Sequence, residues 1–489
     1  MSSSSDQAPA ALAETHSAWV ILLGERAYKI KKPVDLGFLD FTSRSAREAI
    51  AHREVELNRR LAPDVYLGVA DILGPDGVVC DHMVVMRRMP ENRRLSTLVQ
   101  GDAELGDQIR AIARAVAAFH ERAVTSPEIA AAGAPPRIRA KVDADLADMR
   151  ASAGTILDAA ALDHASGLVG RYLDGRAPLL LARVADGRIR DGHGDLLAGD
   201  IFCLPDGPRI LDCLEFDDQL RYVDVIADVA FLAMDLEHLG APDLADEFVD
   251  AYREFSAEHH PASLIHFYIA TRALIRSKVS CIRAGQGDRT ARTAAAELLT
   301  LANEHLDKGR VQLVLVGGPP GTGKSTIAAA LADRLGWVMI RSDEVRKDLF
   351  AGGHRARAEA NFGEGIYDEA TTAATYEAML QRARLALTMG ECVVLDASWS
   401  RARWRDQARV VADDAASDLI ELRADAPLEV AIQRVRDRGA HTDDVSDATP
   451  EVTAEMSAGF DPWPSARVLT TTAEPDHTIE AALSIVAAG

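Results

Sequence analysis

The chain has 489 residues, 48% of them hydrophobic and 26% charged, a balance that excludes a disordered or fibrous polymer and a length that exceeds what one hydrophobic core supports, so two or three domains are expected. Its formal net charge of −21 argues against bulk attraction to nucleic acid or anionic membrane, which needs clustered Lys and Arg. The five cysteines, Cys80, Cys203, Cys213, Cys281 and Cys392, form no CxxC pair, no apolar run reaches membrane-spanning length, and the N-terminal MSSSSDQAPA lacks the pattern of a signal peptide, so a reduced cytoplasmic protein is expected.

The Ser- and Ala-rich residues 1–14 are expected to be disordered. Ala18–Leu23 and Ala27–Lys31 predict two strands of a hairpin turning at Gly24 and Glu25. Ser43–Leu61 has helical composition and is stopped by Ala62-Pro63, and the apolar stretches Val69–Leu73 and Met83–Met86 predict further strands. From Leu105 to Ala123 and from Lys141 to Leu173 apolar residues recur at helical spacing, so a strand-rich lobe gives way to a helical one. Helices are expected again at Pro261–Ile282 and Arg289–Lys308, either side of a turn at Ala284–Asp288.

Beyond Arg310 the pattern becomes strand and helix in alternation: Val311–Val316, Lys324–Leu335, Trp337–Ile340, Gly365–Met389 and Glu391–Leu395. Such alternation predicts an α/β domain with a parallel sheet covered on both faces. The segment Gly318-Pro319-Pro320-Gly321-Thr322-Gly323-Lys324-Ser325, followed by Thr326, matches GxxxxGK[ST] between an apolar strand and a helix. That is the context a P-loop requires. Glycines let backbone N–H groups turn inward around phosphates, the helix N-terminus adds a favourable dipole, Lys324 neutralises phosphate oxygens and Ser325 can ligate magnesium.

Asp396 closes the apolar run Val393–Leu395 and is a candidate to orient Mg2+ or its water, or else to cap the next helix. Asp343, after the second strand, can accept a proton from a hydroxyl nucleophile, and Arg346 can hold an anionic group; N-capping by Ser342 or Asp343 is the competing reading. Arg434 and Arg438, four apart, precede Gly439 and a polar stretch and suit a lid that stabilises charge on a transferred phosphoryl group, or a solvated basic helix end. Together these strings resemble the zeta-toxin-like and gluconate-kinase-like P-loop kinases, over 309–489.

The second informative string is His193-Gly194-Asp195-Leu196-Leu197-Ala198-Gly199-Asp200, followed by Ile210-Leu211-Asp212-Cys213-Leu214-Glu215. Asp195 can accept the proton of a substrate hydroxyl, and Asp200 and Asp212 can hold Mg2+ under an ATP phosphate tail. With YKIKKPVDLGFLDF and EVELNRRLAPDVYLGV, these residues resemble the aminoglycoside phosphotransferases and their kinase-like relatives, over 15–308. The resemblance implies an α+β bilobal kinase-like N-terminal domain in front of the P-loop domain. It implies that Lys29 or Lys31 serves as the ATP-phosphate lysine and that Glu54 pairs with it. Asp200 stands where that family carries Asn, adding a charge beside Asp195 and Asp212. Asp224 either braces the catalytic loop or caps and packs a helix, and His120 is read as a packed helix histidine.

The function so implied is ATP- and Mg2+-dependent phosphoryl transfer to a hydroxylated small molecule, with no bulk nucleic-acid or membrane partner and an undetermined oligomeric state. A switch protein with a degenerate N-terminal kinase domain is the second reading. Aminoglycoside phosphorylation is a third and rests on analogy of fold alone.

Overall fold

A computed structural model of the chain describes residues 10–14, 17–35, 40–101, 103–350, 368–439 and 449–488. They fall into two compact units: one formed by residues up to 166 with 180–260 and 265–306, the other by 167–179, 261–264 and 307 onward. None of the helices among the described residues is long and apolar enough to cross a membrane.

The first unit opens with a five-stranded antiparallel sheet: β1 (Ala11–Glu14), β2 (Ala18–Leu23), β3 (Arg26–Lys31), β4 (Tyr66–Leu73) and β5 (Val79–Arg87), in the order β1-β2-β3-β5-β4. Ala11–Glu14 correct the expectation of disorder over 1–14: they pair with β2 as an edge strand, while residues 1–9 lie outside the described residues. The β2–β3 hairpin turns where Gly24 takes a φ of +54°, a conformation open to glycine at little cost.

Helix Arg44–Asn58 begins at Ser43, whose side chain accepts the Ala46 N–H at 3.2 Å. It buries Ala51 and Val55 with Val65 and with Tyr66, Val84 and Met86 of the sheet, and the same helical face carries Glu54. The remainder is helical apart from two short antiparallel ribbons. One pairs β6 (Ile189–Asp191) with β9 (Tyr222–Asp224), and the other pairs β7 (Ile201–Leu204) with β8 (Gly207–Ile210). The apolar run expected as one helical region over Lys141–Leu173 is two helices, Pro135–Arg150 and Ala159–Gly175. The first unit is thus α+β, a small antiparallel sheet with one helix followed by a helical lobe.

In the second unit five strands form a parallel sheet: β10 (Gln312–Gly317), β11 (Val338–Arg341), β12 (Val393–Asp396), β13 (Asp418–Asp425) and β14 (Arg467–Thr470), in the order β11-β12-β10-β13-β14. β10 is central and fully buried because both its faces are covered. Leu313 and Leu315 pack with Met379, Leu387 and Trp404, while Val314 and Val316 pack with Ile327, Leu331 and Leu422.

The segment Gly167–Leu179 belongs to this unit. Its Arg176, almost wholly buried, donates to the carbonyls of Leu387, Ala415 (2.9 Å) and Ala416 (3.1 Å) and to the Ser417 hydroxyl (3.2 Å). Those carbonyls lie at the C-terminal ends of helices Glu369–Thr388 and Ala402–Asp414, where the guanidinium adds to the Gly390 N–H on Leu387 and the Ser417 hydroxyl on Ala415. Burial pushes its acidity up, lowering its pKa to about 10.

Candidate active site

In the first unit, strand period two puts Lys29 and Lys31 on one face of β3, and both reach Glu54. Lys29 Nζ lies 2.8 Å from Glu54 Oε1 and Lys31 Nζ 2.8 Å from Glu54 Oε2, with Glu54 completely buried. The two lysines part company beyond that. Lys31 is enclosed and takes Glu215 at 2.5 Å, whereas Lys29 extends to Asp212 Oδ1 at 2.6 Å. Lys29 thus links Glu54 to Asp212, and Lys31 links Glu54 to Glu215. Glu56 points away, paired with Arg53.

Asp212 follows β8 with a φ of +63°, an unusual left-handed conformation for a non-glycine residue. Its neighbours hold it there: its N–H donates to the Tyr66 hydroxyl (3.2 Å), and the Cys213 N–H donates to Asn58 Oδ1 (2.9 Å). The Lys29 ammonium keeps the Asp212 carboxyl low, at about 2.

Asp195 and Asp200 sit in the loop between β6 and β7. Burial raises the Asp195 carboxyl to about 6, with Arg276 and Arg272 pulling against Asp212 and Asp235. Burial also raises Asp200 well above the ordinary carboxylate range, and the charges of Asp212 and Asp195 add to it. The Asp212 charge thus acts on both Asp195 and Asp200.

The loop is braced by Asp228, a residue the sequence reading passed over as part of a packing helix. Its Oδ2 accepts the His193 N–H (2.5 Å), its Oδ1 accepts the Gly194 N–H (2.9 Å), and His120 Nε2 lies 3.3 Å away. These donors hold the fully buried carboxyl well below its usual range despite desolvation. Asp224, considered for that bracing, instead caps helix Val225–His238 through the Ile226 N–H (3.0 Å) and pairs with Arg183 (2.6 Å). His120 is packed, as expected, between Asp228 and the Tyr252 hydroxyl (2.9 Å).

In the second unit the P-loop leaves the end of β10. Gly318, Gly321 and Gly323 have φ of +140°, +79° and +87°, conformations that favour glycine, and the Gly318 N–H donates to the Ser398 carbonyl at 3.0 Å. A side chain at Gly321 would overlap the Ala431 carbonyl. Pro319 and Pro320 are buried, Thr322 Oγ1 donates to the Pro319 carbonyl (2.8 Å), and Lys324 and Ser325 begin the next helix half-buried, with Thr326 exposed.

Asp396 ends β12 beside β10. It does not cap the next helix, which starts at Ala402 after Arg401. Arg341, its register partner on β11, donates to Asp396 Oδ2 at 3.3 Å, and Asp396 Oδ1 is buried with no hydrogen-bond partner among the described residues. Asp343 and Arg346 lie one turn apart in helix Ser342–Phe350 and pair with each other at 3.1 Å.

Arg434 is tied to the P-loop itself. It donates to Thr471 Oγ1 (3.1 Å), to the Thr471 carbonyl (2.7 Å) and to the Gly321 carbonyl (3.5 Å), and it lines a pocket of about 270 Å³ with Gly321, Gly323, Thr326 and Ile479. The side chain of Arg438 and residues 440–448 of the expected lid lie outside the described residues.

Magnesium was anticipated at both sites, and the donors present suit it. All are hard oxygens, and the orphaned Asp396 Oδ1 is a buried acceptor in want of a cation or its water. Among the described residues no group of three or more His, Cys, Asp or Glu is placed to cage a metal.

A family profile described as an AAA domain matches residues 313–463. Among solved structures, a sugar kinase from Janibacter sp. is 21% identical, covering 36% of this chain and 94% of its own, with a TM-score of 0.28. A choline/ethanolamine kinase family protein from Mesorhizobium loti is 17% identical over 62% of this chain and 90% of its own, TM-score 0.40. The GDP complex of aminoglycoside 2'-phosphotransferase-IIIa is 16% identical over 62% and 94%, TM-score 0.38. Full-length relatives are found in mycobacteria. Rv2004c of Mycobacterium tuberculosis and Mb2027c of Mycobacterium bovis are each 39% identical over 472 residues, spanning 96% of this chain and 94% of theirs. The chain belongs to the family of these two mycobacterial proteins.

Proposed function

We propose that the chain is an ATP- and Mg2+-dependent phosphotransferase of the cytoplasm, with one site in each unit and a hydroxylated small molecule as phosphate acceptor. The observation that carries this reading is the P-loop at the end of β10 with the orphaned carboxylate oxygen of Asp396 on the adjoining strand. Gly321 and Gly323 supply N–H donors for the phosphate tail, Lys324 neutralises it, and Ser325 and Asp396 are the oxygens suited to the metal. When bound, magnesium supplies charge neutralisation on the phosphate oxygens. Asp343, held by Arg346, is the acceptor-side base and Arg346 an anion holder. Arg434 anchors the outer wall of the P-loop, and Arg438 remains assigned to phosphoryl charge in the lid.

In the first unit Lys29 binds the ATP phosphates and Glu54 fixes its position, with Lys31 held inside by Glu54 and Glu215. Asp212 and Asp200 are the metal carboxylates. Asp195 takes the acceptor hydroxyl proton; a carboxyl raised to about 6 is a better base than an ordinary aspartate while still ionised at neutral pH. The net charge of −21 supports a small-molecule acceptor over bulk nucleic acid or membrane.

The reading is tested by following phosphoryl transfer from ATP across sugars, amino sugars, nucleosides and aminoglycosides with wild type, Lys324→Ala and Asp195→Ala. Loss of transfer in one variant assigns the chemistry to that unit. Lys324-dependent hydrolysis without transfer to any acceptor refutes two-site catalysis. It favours the alternative of an ATP-driven switch, for which the high proton affinity of Asp200 beside Asp195 and Asp212 is the supporting observation.

A further inference from the structure

The first unit contains a pocket of about 420 Å³ whose walls come from helix Pro135–Arg150, β6, β9 and helix Ala262–Gly285. Ile138, Val142, Ile189, Phe267 and Leu274 make most of it apolar. Its volume is that of a site for a small organic molecule. Three cations interrupt the apolar wall: Arg137, which is exposed, and the more enclosed Lys141 and Arg272.

Arg272 is buried, donates through Nε to the Ala227 carbonyl (3.0 Å), and lies over the Phe231 ring at 4.8 Å. Its Nη2 is buried with no hydrogen-bond partner among the described residues. The two carboxylates that line the pocket are already committed: Asp145 to Lys278 at 2.5 Å, and Asp224 to Arg183 at 2.6 Å. Among the described residues neither Lys141 nor Arg272 has a carboxylate within ion-pair distance. A buried guanidinium with an idle donor costs several kcal/mol unless something compensates it. An anion entering this pocket would compensate it.

We propose that this pocket binds a small amphipathic molecule, an oxyanion head on an apolar body, with the head held between Lys141 and Arg272. The apolar walls contribute burial of the body, and the two cations select against neutral and cationic analogues of the same length. Arg272 and burial together lower Lys141 to about 8 in the empty pocket, and an anion alongside would restore its proton. The charged groups that face Lys141 are Arg272 and Lys278, which disfavour its charge, and Asp145 and Asp217, which favour it.

The test is isothermal titration of the full chain with octanoate, octyl phosphate and octylamine at pH 7 and pH 9.5. Saturable one-to-one binding of octanoate or octyl phosphate is expected, with at least tenfold weaker binding by octylamine. Whichever of the two anions binds better identifies carboxylate or phosphate as the head. Affinity should fall at pH 9.5, fall at least tenfold in Lys141→Met, and return in Lys141→Arg, with the thermal unfolding of each variant measured alongside; Lys141 is half-buried. Octylamine binding as tightly as the anions, no saturable binding of either anion, or unchanged affinity in Lys141→Met would each overturn the proposal. Binding is read directly, so failure of phosphoryl transfer at Asp195 would leave the result intact.

Discussion

Replacing Asp195 by Asn should remove phosphoryl transfer from the first unit and at the same time stabilise that unit. Burial raises this carboxyl from 3.8 to about 6, which means that keeping it ionised in the fold costs about 2 to 3 kcal/mol at neutral pH. The sign follows from linkage. A carboxyl whose folded pKa lies above its unfolded value is neutral in the fold at low pH and charged against its surroundings at high pH. Stability is therefore lost as pH rises from about 4 to about 6, and the loss is complete above that window. An amide of the same shape carries no such penalty.

Differential scanning calorimetry of wild type and Asp195→Asn at pH 7.5 and pH 4 measures it. For a unit of this size the variant should melt roughly 5 °C higher at pH 7.5. At pH 4 the difference should vanish. A variant no more stable at pH 7.5, or equally stabilised at both pH values, would refute the assignment of Asp195 as a carboxylate held ionised at a cost in stability.

Asp228→Asn should do the opposite. An amide sets an N–H₂ group against the His193 or Gly194 N–H, and about 3 to 5 kcal/mol should be lost in thermal unfolding at neutral pH. Because the Asp228 carboxyl is depressed, that difference should be full above the ordinary carboxylate range and close as pH falls through the acid range. In the P-loop, Gly321→Ala should abolish binding of a fluorescent ATP analogue, since its Cβ meets the Ala431 carbonyl. Gly323→Ala should weaken it by only about 1 to 3 kcal/mol of backbone strain, because its Cβ meets Thr471 at an ordinary 3.5 Å. Lys31→Met should destabilise folding by leaving Glu54 and Glu215 buried together. Lys29→Met should chiefly raise the KM for ATP, because Asp212 is half-exposed and solvent can replace the lysine.

The glycine spacing and the strand before it were enough to locate the P-loop, because a phosphate cradle requires those residues in that order. The β2–β3 hairpin and helix Arg44–Asn58 were legible for a similar reason: Gly24, Ser43 and Ala62-Pro63 punctuate them chemically. Strands β13 and β14 carried no comparable punctuation and were missed. The brace at Asp228 was hidden because a helix so buried gives no amphipathic contrast by which a functional carboxylate stands out. What distinguishes Lys29 from Lys31 is that the first meets Asp212 and the second Glu215. Such partners, more than 180 residues apart in sequence, are unreadable from local pattern.

Arg176 has a consequence for how the P-loop unit can be isolated. A polypeptide starting at Asp307 would keep every P-loop residue yet lack the guanidinium that meets the C-terminal ends of two of the unit's helices, along with Ser263, whose hydroxyl donates to the Gly390 carbonyl at 2.7 Å. The carbonyls of Gly390 and Ala416 would then be left to water, while those of Leu387 and Ala415 would keep only the Gly390 N–H and the Ser417 hydroxyl. The nucleotide-binding half is therefore no removable cassette. Gene rearrangement that separated it at the start of β10 would deliver an incomplete fold, and inheritance of both halves as a single reading frame is built into the main-chain bonding of the unit.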